Sequence, residues 1–210
     1  MAIDPAAATA SIRLEEVSKR FGRQWVIRQF SHEFTAGTIY GIRGRNGSGK
    51  STLLRMLAGQ LSPSRGRVSF TVNGRTVPPG EVYRLVSWTG PYFEIVEELT
   101  VLEMLVFHFT LKPLLAGMTP RSVLERTELT DFRDRPLHDC SSGMRQRILL
   151  ATALYADSPI LLLDEPTVTL DTTAADWFKR ELQHYVGDRL TVIASNDARD
   201  LTLCGKVTDL

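Results

Sequence analysis

The sequence predicts an α/β fold built on a mainly parallel sheet, and three observations carry that prediction. A glycine-rich turn, Gly44 to Gly49, lies between an apolar strand-like run (Thr38 to Ile42) and a helix-like segment (Ser51 to Ala58). A second apolar run, Ile160 to Leu163, ends in the carboxylates Asp164 and Glu165. Strand and helix patterns then alternate through the second half of the chain, as parallel sheets with crossover helices require.

The elements follow in order. Met1 to Ala10 is alanine-rich and predicts a frayed lead-in, leaving residues 11–210 as one domain. Ile12 to Val17 alternates like a strand, Phe21-Gly22 breaks it, and Trp25 to Phe34 reads as a further strand pair. Pro63 to Gly66 is a turn. Arg67 to Val72 and Arg75 to Val77 flank Asn73-Gly74, the preferred two-residue hairpin turn, and Val82 to Trp88 reads as another strand. From about Leu99 to Leu137 the character changes, within an insert expected at roughly 90–140. Leu102, Leu105, Val106 and Phe109 sit at helical spacing, Pro113 and the 117–120 turn interrupt, and Thr119 or Thr130 is placed to cap a further short helix. This stretch predicts a helical insert. Ser141 to Tyr155 and Thr172 to Val186 predict helices, and Leu190 to Ala194 predicts the closing strand.

With 25 basic and 24 acidic side chains the net charge is +1, so no global field draws the protein to nucleic acid. Cys140 and Cys204 are too far apart in sequence to form a metal-spaced pair, which predicts reduced cysteines and a cytoplasmic chain. The longest apolar run, Ile148 to Ala156, is about half of the ~20 residues a bilayer needs. No basic-then-apolar start resembles a signal peptide. Any membrane-embedded part is therefore expected on another chain.

The chemistry concentrates at two places. In Gly44-Arg45-Asn46-Gly47-Ser48-Gly49-Lys50-Ser51-Thr52 the glycines let successive backbone N–H groups point inward at an anion. Lys50 supplies a cation for terminal phosphates, and the Ser51 hydroxyl is placed to ligate Mg²⁺. The pattern predicts binding of a nucleoside triphosphate. At the tip of the Ile160 strand, Asp164 is within the motif's reach of Mg²⁺, and Glu165 is suited to polarise the water that attacks the γ-phosphate.

Together with Cys140-Ser141-Ser142-Gly143-Met144, these motifs resemble the nucleotide-binding domain of ABC-type ATPases, whose signature Leu-Ser-Gly-Gly-Gln is kept here at Ser141 and Gly143. The resemblance covers nearly the whole chain. It implies a P-loop NTPase fold with an N-terminal antiparallel β subdomain and an inserted helical subdomain. It implies ATP and Mg²⁺ as ligands, with Phe21 stacking on adenine, Gly44 to Thr52 and Asn196 around the phosphates, and Ser51 and Asp164 on the metal. Lys50 and Glu165 are implied as catalytic, and Asp171 is retained in a loop that reads Val168-Thr169-Leu170-Asp171. It implies head-to-tail pairing with a second nucleotide-binding subunit, identical or not, whose ATP meets Ser141, Ser142 and Gly143. Phe21 is equally suited by size to a place in the core.

Two departures stand out. The family's glutamine after the Val82–Trp88 segment is missing, with Gly90 in its place, and Asn196 stands where a histidine is expected. Asparagine donates a hydrogen bond but carries no charge or proton. Met144 for the signature glutamine loses another polar contact. The chain is short and is expected to stop just past its last strand, like compact single-domain transporter subunits that sit on the cytoplasmic face of the membrane. Residues 90–93 and 97–100 fall where such subunits dock a permease, and Tyr92, Phe93, Phe107 and Phe109 offer apolar area either for that docking or for the insert's own core. The function expected is ATP binding and hydrolysis driving a separate permease. A cytosolic non-transport ATPase and a cassette with little hydrolysis of its own are the alternatives.

Overall fold

The computed structural model describes residues 9–90 and 93–210, so the expectations for residues 1–8 and for Pro91 and Tyr92 lie outside the described residues. The chain packs as two compact units.

The first unit takes in residues up to Trp88, Ser158–Glu165 and Gly187–Leu210. It opens with two long antiparallel strands, β1 (Ala10–Phe21) and β2 (Gln24–Thr35), joined at the Gly22 turn. The predicted strand pair at Trp25 to Phe34 is thus one strand. Strand β3 (Ile39–Arg43) leads through the glycine loop into helix α1 (Lys50–Leu57). Strands β4 (Arg65–Val72) and β5 (Arg75–Val77) form the expected hairpin. Asn73 and Gly74 both adopt positive φ (52° and 72°), as a two-residue turn of this kind demands. Val82 to Arg84 does not extend. Pro78 and Pro79 start a 3₁₀ turn over Pro79–Arg84 instead, because proline fixes φ near the helical value and withholds the N–H a strand would use. The extended part is β6 (Val86–Thr89).

Strand β7 (Ile160–Asp164) is buried along its whole length, and β8 (Leu190–Ser195) likewise. A strand that the sequence pattern did not announce, β9 (Lys206–Asp209), follows a 3₁₀ turn and pairs parallel with β3. It is short and largely exposed, so only its register with β3 marks it. The outcome is a five-stranded sheet in the order β6-β7-β8-β3-β9 beside a four-stranded antiparallel sheet in the order β2-β1-β4-β5. β3 lies beside β8 in parallel register (Ile42 opposite Ala194), and β8 beside β7 (Ala194 opposite Asp164), which sets the three strand tips side by side. Ile12, Phe34, Ile42, Leu53, Leu54, Leu162 and Val192 fill the core.

The second unit takes in Thr89–Asp157 and Pro166–Val186. Its helices are α2 (Val101–Leu111), α3 (Pro120–Arg126), α4 (Ser142–Leu154) and α5 (Thr172–Tyr185). Thr100 and Glu103 close a reciprocal capping box on α2, and Thr119 with Ser122 does the same for α3. Thr130 caps nothing; it begins a 3₁₀ turn, Thr130–Phe132. Helix α2 packs on α3 and α4, and α4 on α5. Trp177 and Phe178 are fully enclosed, and the Trp177 indole N–H donates to the Arg126 carbonyl at 2.7 Å.

Candidate functional site

The glycine loop is held open by backbone geometry. Gly47 and Gly49 sit at φ of 83° and 106°, a region that costs an L side chain dearly. A Cβ on Gly49 would lie 2.8 Å from Val26 Cγ1, and one on Gly44 would overlap the Ser48 hydroxyl. Gly49 precedes α1 without a side-chain cap, which leaves the first N–H groups of the helix uncapped, as an anion site requires. Lys50, the first helical residue, is only 5 % exposed. Its ammonium donates to the Gly44 carbonyl at 2.8 Å and pairs with Glu165 Oε1 at 3.0 Å.

The carboxylates arrive on the neighbouring strand. Asp164 is 4 % exposed, and burial pushes its carboxyl above the usual range, against a hydrogen bond from Ser51 that pulls it down. Its Oδ1 has no hydrogen-bond partner, and neither has the buried Ser48 hydroxyl. Unmatched oxygens at the loop fit a missing cation and phosphate. The donors near Asp164 are hard oxygens, which suit Mg²⁺ rather than a softer metal. Among the described residues no group of three or more His, Cys, Asp or Glu side chains gathers as a metal site.

Glu165 occupies the left-handed region at φ 45°, unusual for a residue with a long side chain. Four contacts hold the carboxylate: Lys50, the Ser195 hydroxyl at 2.9 Å, and the Asn196 N–H at 3.2 Å from each oxygen. The Asn196 side chain donates to Asn46 Oδ1 at 2.9 Å. Arg45, Asn46, Asn196, Asp197 and Ala198 line an open cleft of about 650 Å³. Lys50, Ser51, Asp164, Glu165, Asn46 and Asn196 are therefore brought together in the first unit. Phe21 ends β1 with half of its surface exposed and Lys19 Nζ 5.4 Å from its ring, so it is not a core residue.

The signature segment belongs to the second unit. Ser141 caps α4, its hydroxyl accepting from the Met144 N–H at 3.2 Å. Gly143 passes close to the Thr169 carbonyl, where a Cβ would stand at 3.3 Å. Gln146 is buried and donates to the Pro166 carbonyl at 2.9 Å. Asp171 caps α5 by accepting from the Ala174 N–H at 2.8 Å. Gly90 is buried, and Phe93 and Phe107 are exposed while Phe109 is half-buried. The residues that motif reading passed over are Ser195 and Asp200. The signal available was a serine ending the otherwise apolar run Val192-Ile193-Ala194.

A glycine loop between a strand and a helix, with a carboxylate pair at the tip of a strand in the same parallel sheet, defines a P-loop NTPase fold. Residues 27–168 match the family model described as ABC transporter, and the chain belongs to that family. The Nod factor export ATP-binding protein I of Rhizobium meliloti is 36 % identical over 194 residues, covering 90 % of this chain and 55 % of the relative. The sulfate/thiosulfate import ATP-binding protein CysA of Thermosynechococcus vestitus is 34 % identical over 163 residues, 76 % of this chain and 48 % of the relative. The chain thus spans about half the length of these relatives. A putative ABC transporter ATP-binding protein from Pyrococcus furiosus superposes with a TM-score of 0.80 at 20 % identity, over 95 % of this chain and 97 % of that one. A dimeric ATP-binding cassette in a post-hydrolysis state with ADP and Pi gives 0.78 at 22 %, over 95 % and 94 %. At these identities the likeness is one of fold.

Proposed function

We propose that this chain binds MgATP and hydrolyses it as the ATP-binding subunit of an ABC transporter. The observation that carries the reading is the cluster of Lys50 and Ser51 at the start of α1 with Asp164 and Glu165 at the tip of β7, in a chain of this family. Lys50 and the loop amides hold the phosphates. Ser51 and Asp164 would hold Mg²⁺, which supplies positive charge against the phosphate oxygens. Glu165 accepts a proton from a water as that water attacks the γ-phosphorus in line; the bond to the β–γ bridging oxygen breaks and ADP leaves with inorganic phosphate as the second product. Phe21, exposed at the end of β1, is available to stack on adenine.

Ser141 to Gly143, at the start of α4, would meet the γ-phosphate bound by a second nucleotide-binding subunit, since a helix N-terminus favours an anion. Among the described residues no helix is long and apolar enough to cross a membrane. From the likeness to ATP-binding proteins of export and import systems, we assign this chain to the cytoplasmic membrane face, working with a permease. The named relatives serve both export and import, so direction and substrate are left to the permease. A second reading, a cassette with little turnover of its own, draws support from Asn196 and from Gly90 in place of the family's histidine and glutamine.

The test is Glu165→Gln. The amide keeps nucleotide binding but does not take the proton, so turnover is lost and trapped ATP holds two chains together. A variant that hydrolyses MgATP as fast as wild type refutes the assignment of Glu165. A variant that stays monomeric on a sizing column at saturating MgATP refutes the symmetric pairing.

A further inference from the structure

The contacts of Glu165 contain more than the proposed reaction uses. Its Oε2 lies 2.9 Å from the Ser195 hydroxyl, and the same hydroxyl lies 2.6 Å from Asp200 Oδ2. Ser195 is wholly buried and Asp200 is 3 % exposed, so both contacts are shielded from bulk solvent. The serine oxygen also accepts the Asp197 N–H at 3.0 Å. A hydroxyl has one proton to give. Here that proton is placed between two carboxylates, while the backbone N–H fixes one of the oxygen's lone-pair directions. Such a serine has little freedom left: Asp200 and Asp197 together set where its oxygen stands, and that oxygen in turn sets where Glu165 Oε2 stands.

Lys50 gives this constraint a purpose. The Lys50 ammonium holds Oε1 at 3.0 Å. When Lys50 turns to phosphate, Glu165 loses its strongest partner and keeps only Ser195 and the Asn196 N–H. We propose that Ser195, oriented by Asp200, is a positioning residue that holds the Glu165 carboxylate in its productive direction once Lys50 has left it. The inference rests on the reading of Glu165 as the group that accepts the water's proton. Neither Ser195 nor Asp200 touches the nucleotide in this scheme; both act on the turnover step and not on binding.

The experiment uses the full chain with MgATP, measuring kcat and KM at steady state and nucleotide affinity by calorimetry. Ser195→Ala is expected to lower kcat about tenfold, with KM and affinity within about twofold, because misdirecting a proton acceptor costs rate without costing ground-state binding. Ser195→Thr keeps the hydroxyl and is expected to retain most of the rate. Asp200→Ala should reproduce the Ser195→Ala loss, Asp200→Asn should spare most of the rate, and Ser195→Ala with Asp200→Ala should be no worse than either alone, since the two act in series. In a Glu165→Gln background Ser195→Ala should change the residual rate no further.

Unaltered nucleotide affinity serves as the check that each variant is folded. An unchanged kcat in Ser195→Ala, losses that multiply in the double variant, or a KM that rises in step with the fall in kcat overturns the proposal. If Glu165→Gln slows hydrolysis while Ser195→Ala does not, only the positioning role falls. If Glu165→Gln is as fast as wild type, the assignment of Glu165 falls and takes this inference with it.

Discussion

Removing Lys50 tests the Lys50–Glu165 ion pair and the binding reading at once. In Lys50→Ala the Glu165 carboxylate, whose side chain is only 16 % exposed, loses its ion-pair partner, and the Gly44 carbonyl loses a donor. Breaking a buried pair by deleting one member costs about 3–5 kcal/mol. Glu165 retains Ser195 and the Asn196 N–H, which brings the cost below that range, to about 2 kcal/mol. The carbonyl adds about 1 kcal/mol. A total near 3 kcal/mol in a chain of this size lowers the melting temperature by about 6–12 °C. Glu165→Gln should rescue much of this, because a neutral amide tolerates the vacant position, and the double-mutant cycle should show a coupling of about 1.5–2 kcal/mol. Denaturant unfolding of the two single variants and the double variant, all without nucleotide, measures it. MgATP affinity of Lys50→Ala should fall tenfold or more, about 1.4 kcal/mol. A coupling indistinguishable from zero would mean that the Lys50–Glu165 pair contributes nothing to the ligand-free fold, and unchanged affinity would remove Lys50 from the phosphate site.

Other expectations follow from single contacts. His108 on α2 is held neutral by burial, with its pKa lowered to about 4; a nearby Lys112 also lowers it and a hydrogen bond with the Thr152 backbone partly opposes this. Because the folded value lies below the unfolded one, stability is full above about pH 6.5 and declines as pH falls toward 4, by an amount on the order of 2–3 kcal/mol; His108→Gln should flatten urea-unfolding profiles over that window, and an unchanged slope would refute it. Asn196→His introduces a side chain able to carry a proton beside Glu165 and should raise single-turnover hydrolysis about tenfold with little change in affinity; a variant no quicker than wild type means that Asn196, already bonded to Asn46, fills the contact in its own way. Trp177→Phe removes the donor to the Arg126 carbonyl and should cost about 1–3 kcal/mol of stability, read by chemical denaturation.

What the sequence made legible is what local chemistry dictates. The glycine loop and the Asn73-Gly74 hairpin could be placed because positive φ has few residue types that accept it cheaply. The strand tip with Asp164 and Glu165 was legible because four consecutive apolar residues before two carboxylates leave little choice of environment. The errors arose where flanking residues or distant partners decide. Val82 and Leu85 looked like strand residues, but the Pro78-Pro79 start curls the segment first. β9 exists only through β3, from which it is separated by most of the chain. The Thr100–Glu103 capping box was legible as Thr-x-x-Glu and was passed over. Ser195 and Asp200 carry no motif; their meaning lies in distances of 2.9 and 2.6 Å that no spacing encodes.

The left-handed backbone at Glu165 has a consequence for how this position tolerates change. At φ 45° the chain itself would prefer glycine, since any Cβ there meets the carbonyl crowding that disfavours this region by about 1–2 kcal/mol. The proposed chemistry instead demands a carboxylate on two methylenes. The ion pair to Lys50 and the bonds from Ser195 and Asn196 outweigh that strain, because glycine would relieve about 1–2 kcal/mol of backbone cost and strand the buried ammonium at about 3–5 kcal/mol. A library sorted only for thermal resistance should therefore reach glycine at 165 only in variants that have lost the Lys50 charge as well, whereas one sorted for hydrolysis should hold both residues.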